Sequence, residues 1–231
     1  MIVRVTNTLT IPEDREADSF RVSADVVIFT ILDDALQVLL RRLDPQDGSP
    51  SSWALPGGDV RAGEPLDDCA QRTLREQTGL VDVYLEQLYT FGQPNRHPAA
   101  RVISVAYYAL VSGDRLADAG PDRRGDWHAV DKQPGMYLDH DRIVAAARER
   151  LEAKLEYSTI AFQLMPEDFT LSELQHVYET ICGRPIDKRN FRKRVLAMEH
   201  VKATERMRRN GSHRPARLYR YTAREAIHYL K

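Results

Sequence analysis

Two β-rich runs stand near the start of the chain. Residues 25–32 and 36–40 are dominated by branched and aromatic side chains, and Asp33, Asp34 and Ala35 separate them, which predicts a β-hairpin. A polar loop over 44–52 follows, with two prolines and a glycine. The stretch 65–78 lies between Pro65 and Gly79, the expected asymmetry of a helix with proline at its first position and glycine just past its last. Residues 85–91 and 102–111 read as further strands. The second alternates too poorly to have one wet face, so it is expected to be buried on both sides. The Asp-, Arg- and Gly-rich segment 114–125 reads as a loop and 127–130 as a short strand. Ile143, Ala146, Ala147, Leu151 and Leu155 recur at spacings of three and four, which predicts an amphipathic helix over 140–155.

Beyond 155 the pattern becomes helical and basic, and residues 155–231 read as three helices and a β-ribbon. Ile160, Phe162 and Leu164 form a first apolar segment that stops near Pro166. Thr170-Leu-Ser-Glu173 fits a capping box, with Leu174, Val177, Tyr178 and Ile181 on the buried face and Gly183 as terminator. Asp187 is a candidate N-cap for a third helix in which Phe191, Val195 and Met198 point inward. Lys188, Arg189, Arg192 and Lys193 fall near its opposite side, with Asn190 close to the leading turn. Such a helix suits the major groove of DNA. Two further runs, 201–207 and 217–221, flank Asn210-Gly211, a hairpin signal, and give a two-stranded wing with a basic tip. Arg208, Arg209, Arg214 and Arg217 are candidate contacts to phosphate or the minor groove.

Composition adds charge asymmetry. At 231 residues, with 42% apolar and 29% charged residues, the chain has the make-up of a folded protein of two compact units. The net charge is −1, yet residues 182–231 hold 15 Lys and Arg against four Asp and Glu, so the remainder is acidic by about twelve. A basic end of that kind suits a polyanion, and double-stranded DNA is the expected partner. The polar first 20 residues lack the apolar core of a signal peptide, and no apolar run approaches a membrane span. With only Cys69 and Cys182, a reduced, cytoplasmic protein is expected.

Between Gly58 and Leu80 a motif emerges. Gly58 is followed after five residues by Glu64, after seven more by Arg72, and then by Thr73, Leu74, Arg75, Glu76, Gln77, Thr78, Gly79 and Leu80. The order resembles the Nudix signature G-x5-E-x7-R-E-U-x-E-E-x-G-U, where U is a bulky aliphatic. Trp53-Ala-Leu-Pro-Gly-Gly58 resembles the usual approach to that box. In active Nudix hydrolases three glutamates of the R-E-U-x-E-E core hold Mg²⁺, a hard cation that takes oxygen ligands. Positions 73, 76 and 77 share one helix face. This chain places Thr73, Glu76 and Gln77 there, so one charged ligand of three remains and no metal site is expected. Glu76 is read as an i, i+4 partner of Arg72, with residual metal binding as the other possibility.

The segment from Phe91 to Pro98, running on to Tyr108, looks like the corresponding loop and strand of ADP-ribose pyrophosphatases. That family has R-D-P where this chain has Arg96-His97-Pro98. The resemblance implies a pocket for a nucleoside diphosphate, in which Arg41, Arg42, Arg72, Arg96 and Arg101, with Glu76, are candidate ligand residues. Arginine's forked donors suit a pyrophosphate. Trp53 or Tyr107 would stack on an adenine.

A Nudix-like half followed by a winged helix resembles the Nudix-related transcriptional regulators, the NrtR family. Further similarity lies in Leu138-Asp-His-Asp-Arg-Ile143, Tyr157-Ser-Thr-Ile-Ala-Phe-Gln-Leu164, Phe169-Thr-Leu-Ser-Glu-Leu-Gln175 and Asp187-Lys-Arg-Asn-Phe-Arg192. The resemblance implies an α+β protein: an N-terminal segment (1–20), a Nudix α/β/α sandwich with a mixed sheet (21–155) and a winged helix-turn-helix (156–231). It implies a homodimeric repressor of NAD biosynthesis or salvage genes, not an enzyme, with no cofactor and with ADP-ribose or a related NAD derivative as effector. An active ADP-ribose pyrophosphatase with an accessory DNA-binding domain is the alternative.

Overall fold

The computed structural model describes residues 19–44, 52–118, 125–209, 215–224 and 227–229. Strand β1 (Arg21–Leu32) turns into β2 (Ala35–Leu43) through Asp33 and Asp34, whose φ angles are 48° and 58°. Two consecutive positive φ values give the tight reversal whose twist matches the strands it joins, and aspartate tolerates that region better than most side chains. Short strands β3 (Ser52–Ala54) and β4 (Gly57–Asp59) lead to helix α1 (Leu66–Thr78). Pro65 is its N-cap rather than its first helical residue, and Gly79 closes it in the left-handed conformation at φ 73°.

Strands β5 (Tyr84–Phe91) and β6 (Val102–Leu110) follow, then helix α2 (Gly113–Asp118), strand β7 (Asp126–Ala129) and helix α3 (His140–Tyr157). The 114–125 stretch is therefore a helix in its first part, not the loop its composition suggested, while 119–124 lie outside the described residues. The strands run β3-β2-β1-β6-β5, with β4 pairing β1 and β7 pairing β2. β1 and β6 are parallel and the other pairs antiparallel, which makes the sheet mixed.

Period-two alternation sorts the two central strands between two cores. Ala24, Val26 and Ile28 of β1 and Val105, Tyr107 and Ala109 of β6 pack with Cys69, Ala70 and Leu74 of α1. Val27 and Phe29, with Ala106, Tyr108 and Leu110, pack with Ile143, Ala147 and Leu151 of α3. Helices on both faces remove the need for a polar side, which is why β6 reads as a continuous apolar run.

The α3 core does not stop at the end of the sheet. It continues through Leu155 into Ile160, Phe162, Phe169, Leu174, Ile181, Phe191 and Tyr221, so one buried cluster joins the two halves of the chain. The apolar segment after α3 is a 3-10 turn (Ile160–Leu164) rather than the first of three α-helices. Strand β8 (Asp168–Phe169) precedes helix α4 (Leu171–Cys182), helix α5 (Lys188–Leu196), and strands β9 (Val201–Arg208) and β10 (Ala216–Tyr221). These three strands pair in the order β8-β10-β9. The capping box forms as its spacing requires: Thr170 Oγ1 accepts from Glu173 N at 3.1 Å, and Thr170 N donates to Glu173 Oε2 at 2.7 Å. Gly183 ends α4 at φ 65°, and Asp187 Oδ1 accepts from Asn190 N at 2.8 Å. The Asn210-Gly211 turn lies outside the described residues.

Candidate ligand cleft and nucleic-acid interface

The first half of the chain carries a cleft of about 260 Å³ where β1, β2 and β4 meet the 96–97 loop and the start of α3. Its wall holds Arg21, Arg41, Arg96, His97 and His140, with Asp25 and Asp59 as the acidic members. Arg21 and Asp59 pair at 2.5 Å on the exposed rim. Deeper in, Asp25 is buried and accepts from Ser104 and, at 3.4 Å, from Ser23. Its Oδ1 lies 2.0 Å from where a Cβ on Gly57 would stand, so β4 can approach β1 there only as glycine.

His140 begins α3 and is buried. Leu55 N donates to its Nδ1 at 3.0 Å, which leaves the ring proton on Nε2 in the neutral tautomer. Burial pushes its pKa below the usual histidine value, with Arg96 adding to the shift and the nearby carboxylates opposing it. Arg96 makes a two-pronged pair with Asp139, at 2.7 Å to Oδ1 and 3.2 Å to Oδ2. Asp139 is the N-cap of α3 but makes no capping bond, because its carboxylate faces Arg96 instead. Just before it, Leu138 has φ 52°, a left-handed conformation that costs a branched residue about 1–2 kcal/mol. That turn lies between Tyr137, whose N–H reaches Trp53 O at 2.7 Å, and Asp139.

The Nudix-like box wraps the other side of β4. Arg72 pairs with Glu64 at 2.6 Å between side chains each 13% exposed, reaches Asp59 O at 3.1 Å, and meets Glu76 only at 3.5 Å. Hydrogen bonds from Arg72 first, then from the Arg61 N–H, hold the Glu64 carboxyl down to about 2. Of the three positions on the helix face, Thr73 is fully buried and Glu76 is exposed beside Arg72 and Arg61. Gln77 reaches back to Gly57: its Oε1 accepts from Gly57 N at 3.2 Å and from Arg41 Nη1 at 2.7 Å, and its Nε2 donates to Gly57 O at 2.7 Å. One carboxylate, one buried hydroxyl and one committed amide do not fit Mg²⁺. Among the described residues no group of three or more His, Cys, Asp or Glu is placed to hold a metal ion.

Several sequence candidates lie elsewhere. Arg72 is not on the cleft wall and serves as the internal partner of Glu64, in preference to Glu76. Trp53 packs edge-on against His128 at 4.5 Å, and Tyr107 is buried under α1 with its hydroxyl donating to Asp67 at 2.6 Å, and neither lines the cleft. Arg101 donates to Gly92 O at 2.9 Å and Gln93 O at 3.3 Å. Arg42, beside Arg41 on β2, is exposed and points to the opposite side of the strand. Arg21, His97 and His140 were missed by sequence reasoning. Arg21 and His140 lie outside the Nudix box and its flanking loop, and His97 was weighed only as a lost aspartate.

A larger hollow, about 750 Å³, separates the two halves near Asp114, His176, Lys188 and Arg208. Two of its polar side chains are paired: Arg208 holds Glu173 at 2.7 Å and His176 meets Asp34 at 2.9 Å.

On the winged-helix half, Phe191 and Val195 are buried while Lys188, Arg189, Asn190, Arg192 and Lys193 are exposed on α5. Arg194 folds back over the rings of Tyr178 and Phe191, at 5.4 and 5.8 Å. Arg209 and Arg217 are exposed on the wing, and Arg214 lies outside the described residues. Arg208 turns inward, bonding Glu173 and, at 3.0 Å, Asp168 O. Asp168 also takes Arg220 at 2.8 Å and Arg206, so one nearly buried carboxylate anchors the base of the wing. Arg206 and Arg220 drew no notice in the sequence because their acidic partner lies on another strand.

The NUDIX domain model matches residues 20–149, and the NrtR DNA-binding winged helix domain model matches 161–221. The chain is 34% identical over 210 residues to the ADPR responsive transcriptional repressor NtrR of Acinetobacter baylyi, covering 88% of this chain and 82% of that protein. The structure of Shewanella oneidensis NrtR complexed with a 27mer DNA superposes with a TM-score of 0.76 at 35% identity, over 87% of this chain and 93% of that one. A more distant likeness, 28% over 112 residues (48% of this chain and 64% of the relative), is to an ADP-ribose pyrophosphatase of Methanocaldococcus jannaschii. With a Nudix half, a winged-helix half and a relative that matches through both, this chain belongs to the NrtR family of Nudix-related transcriptional regulators.

Proposed function

We propose that this protein is an ADP-ribose-responsive repressor of genes for NAD biosynthesis or salvage, and that it is not a hydrolase. The observation that carries the reading is the pairing of a guanidinium-lined cleft, bordered by a Nudix box whose metal positions hold Thr73, Glu76 and Gln77, with an exposed basic helix α5 on the same buried core. Arg41, with Arg21 and His97, meets the pyrophosphate, Arg96 stands behind them in its pair with Asp139, and His140 donates from Nε2. Lys188, Arg189, Asn190, Arg192 and Lys193 enter the major groove, and Arg209, Arg214 and Arg217 of the wing meet phosphate. The protein acts in the cytoplasm as a homodimer on two half-sites. Effector in the cleft shifts α3, and α3 carries the winged helix out of register with its half-site.

Neutral ligands at positions 73 and 77 neither balance the charge of a divalent cation nor help it activate water, which speaks against turnover. The likeness to an archaeal ADP-ribose pyrophosphatase favours the second reading, an active hydrolase with an accessory DNA-binding half. Fluorescence anisotropy on labelled DNA from upstream of NAD-synthesis genes, at fixed salt, with and without ADP-ribose, separates the two. Tight binding that weakens while ADP-ribose stays intact supports the repressor. Consumption of ADP-ribose without specific DNA binding gives the hydrolase reading precedence.

A further inference from the structure

Gln77 occupies a position where the Nudix pattern places a metal-holding glutamate, and its amide is used in full. Oε1 faces two donors, Gly57 N and Arg41 Nη1, while Nε2 faces an acceptor, Gly57 O. Only a group with both a donor and an acceptor satisfies the N–H and the C=O of a single glycine. A carboxylate could accept from Gly57 N and Arg41 but would set a second acceptor against Gly57 O. The Gly57 backbone lies close against the buried Asp25, whose Oδ1 is 2.0 Å from where a Cβ on Gly57 would stand. The amide thus ties α1 to β4 and fixes Arg41, a cleft-wall residue, in one step.

We infer that Gln77 is a positioning residue that replaces the divalent cation: it presets Arg41 and the Gly57-Gly58 floor, so that the cleft takes a pyrophosphate with no metal ion between ligand and protein. This rests on the effector reading above and adds how that same site works. The charge that a hydrolase neutralises with a cation is met here by arginine, and the amide holds the arginine where it is needed.

The test uses the full chain with Gln77, Gln77→Glu and Gln77→Ala. ADP-ribose affinity is measured by calorimetry in EDTA and again with Mg²⁺. The unaltered protein is expected to bind equally in both buffers. Gln77→Glu is expected to bind at least about ten-fold more weakly in EDTA, the scale of leaving a desolvated acceptor opposed rather than paired, and to recover with Mg²⁺. Gln77→Ala should be weak in both, with no recovery. A loss of fold would affect Gln77→Glu alike in the two buffers, so the cation rescue reports positioning. Equal affinity of Gln77→Glu and the unaltered protein in EDTA overturns the inference, as does a ten-fold gain with Mg²⁺ in the unaltered protein. Hydrogen exchange at the Gly57 amide, without ligand, is the second measurement: slow exchange that speeds up in Gln77→Ala supports the clamp, and unchanged exchange refutes it. If ADP-ribose gives no heat with the unaltered protein, the effector reading fails, and the Gly57 exchange still decides the role of Gln77.

Discussion

Deleting either member of the Arg96–Asp139 pair tests whether a desolvated ion pair holds the cleft together. The Arg96 side chain is 2% exposed and that of Asp139 is 14% exposed. Breaking such a pair by removing one partner costs about 3–5 kcal/mol, because the survivor keeps its charge and does not regain water. The two deletions are not equivalent. Arg96→Ala leaves a carboxylate that solvent reaches in part, at the N-terminus of α3 where the helix dipole favours negative charge. It belongs at the lower end, about 3 kcal/mol. Asp139→Ala leaves a guanidinium with almost no access to water, and belongs near 5 kcal/mol by the same reasoning (an order-of-magnitude figure). Replacing both with apolar residues of similar size, Arg96→Met with Asp139→Leu, should recover most of the loss, since no charge is then stranded. Urea denaturation followed by tryptophan fluorescence and circular dichroism gives all three values from the midpoints at constant slope. A cost below about 1 kcal/mol for Arg96→Ala would put the pair in the class of surface bridges and refute its role. A smaller loss for Asp139→Ala than for Arg96→Ala would show that the burial argument has the wrong sign.

Three more expectations follow from the same structure. Thr170→Ala removes the capping bond of α4 and should cost about 1 kcal/mol. Glu173→Ala should cost more, because it also frees Arg208, and equal losses in thermal unfolding would contradict that. Glu64, held down to about 2 from an ordinary 4.5, contributes stability that is present above pH 4.5 and lost as pH falls towards 2. His140, whose pKa burial lowers, makes the unfolded chain the better proton binder just below pH 6.5, so stability starts to fall there first. His140→Gln should remove that upper stage from a plot of Tm against pH and leave the lower one; an unchanged profile would show that His140 is not the group responsible. On α5, Arg192→Ala and Lys193→Ala should each reduce the salt dependence of DNA binding by about one phosphate contact, while Asn190→Ala should weaken specific binding with the slope intact. Anisotropy titrations across a salt series read both, and unaltered slopes for Arg192 and Lys193 would move the interface elsewhere.

Much of this molecule was legible in the sequence because the rules involved are local. The apolar run at 102–111 requires two covered faces, and the structure supplies α1 and α3. Thr170, Glu173, Gly183 and Asp187 act on backbone groups one turn away, so their spacing suffices to cap α4 and α5. The Nudix spacing from Gly58 to Leu80 likewise lies within one loop and one helix. Charge asymmetry located the basic half without any coordinates.

What only the tertiary structure decided is which polar groups meet across long separations. An arginine carries no mark of its partner: Arg72 takes Glu64 over Glu76, Arg96 takes Asp139 forty-three positions away, and Arg208 turns to Glu173 rather than outward. Arg21 and His140 reach the cleft because parallel pairing of β1 with β6 and the packing of α3 bring distant backbone together. The lost glutamate at 77 is visible in the sequence as an absence. Its use as an amide clamp on Gly57 exists only once α1 lies against β4, because a hydrogen bond is defined by where two groups stand and not by their distance along the chain.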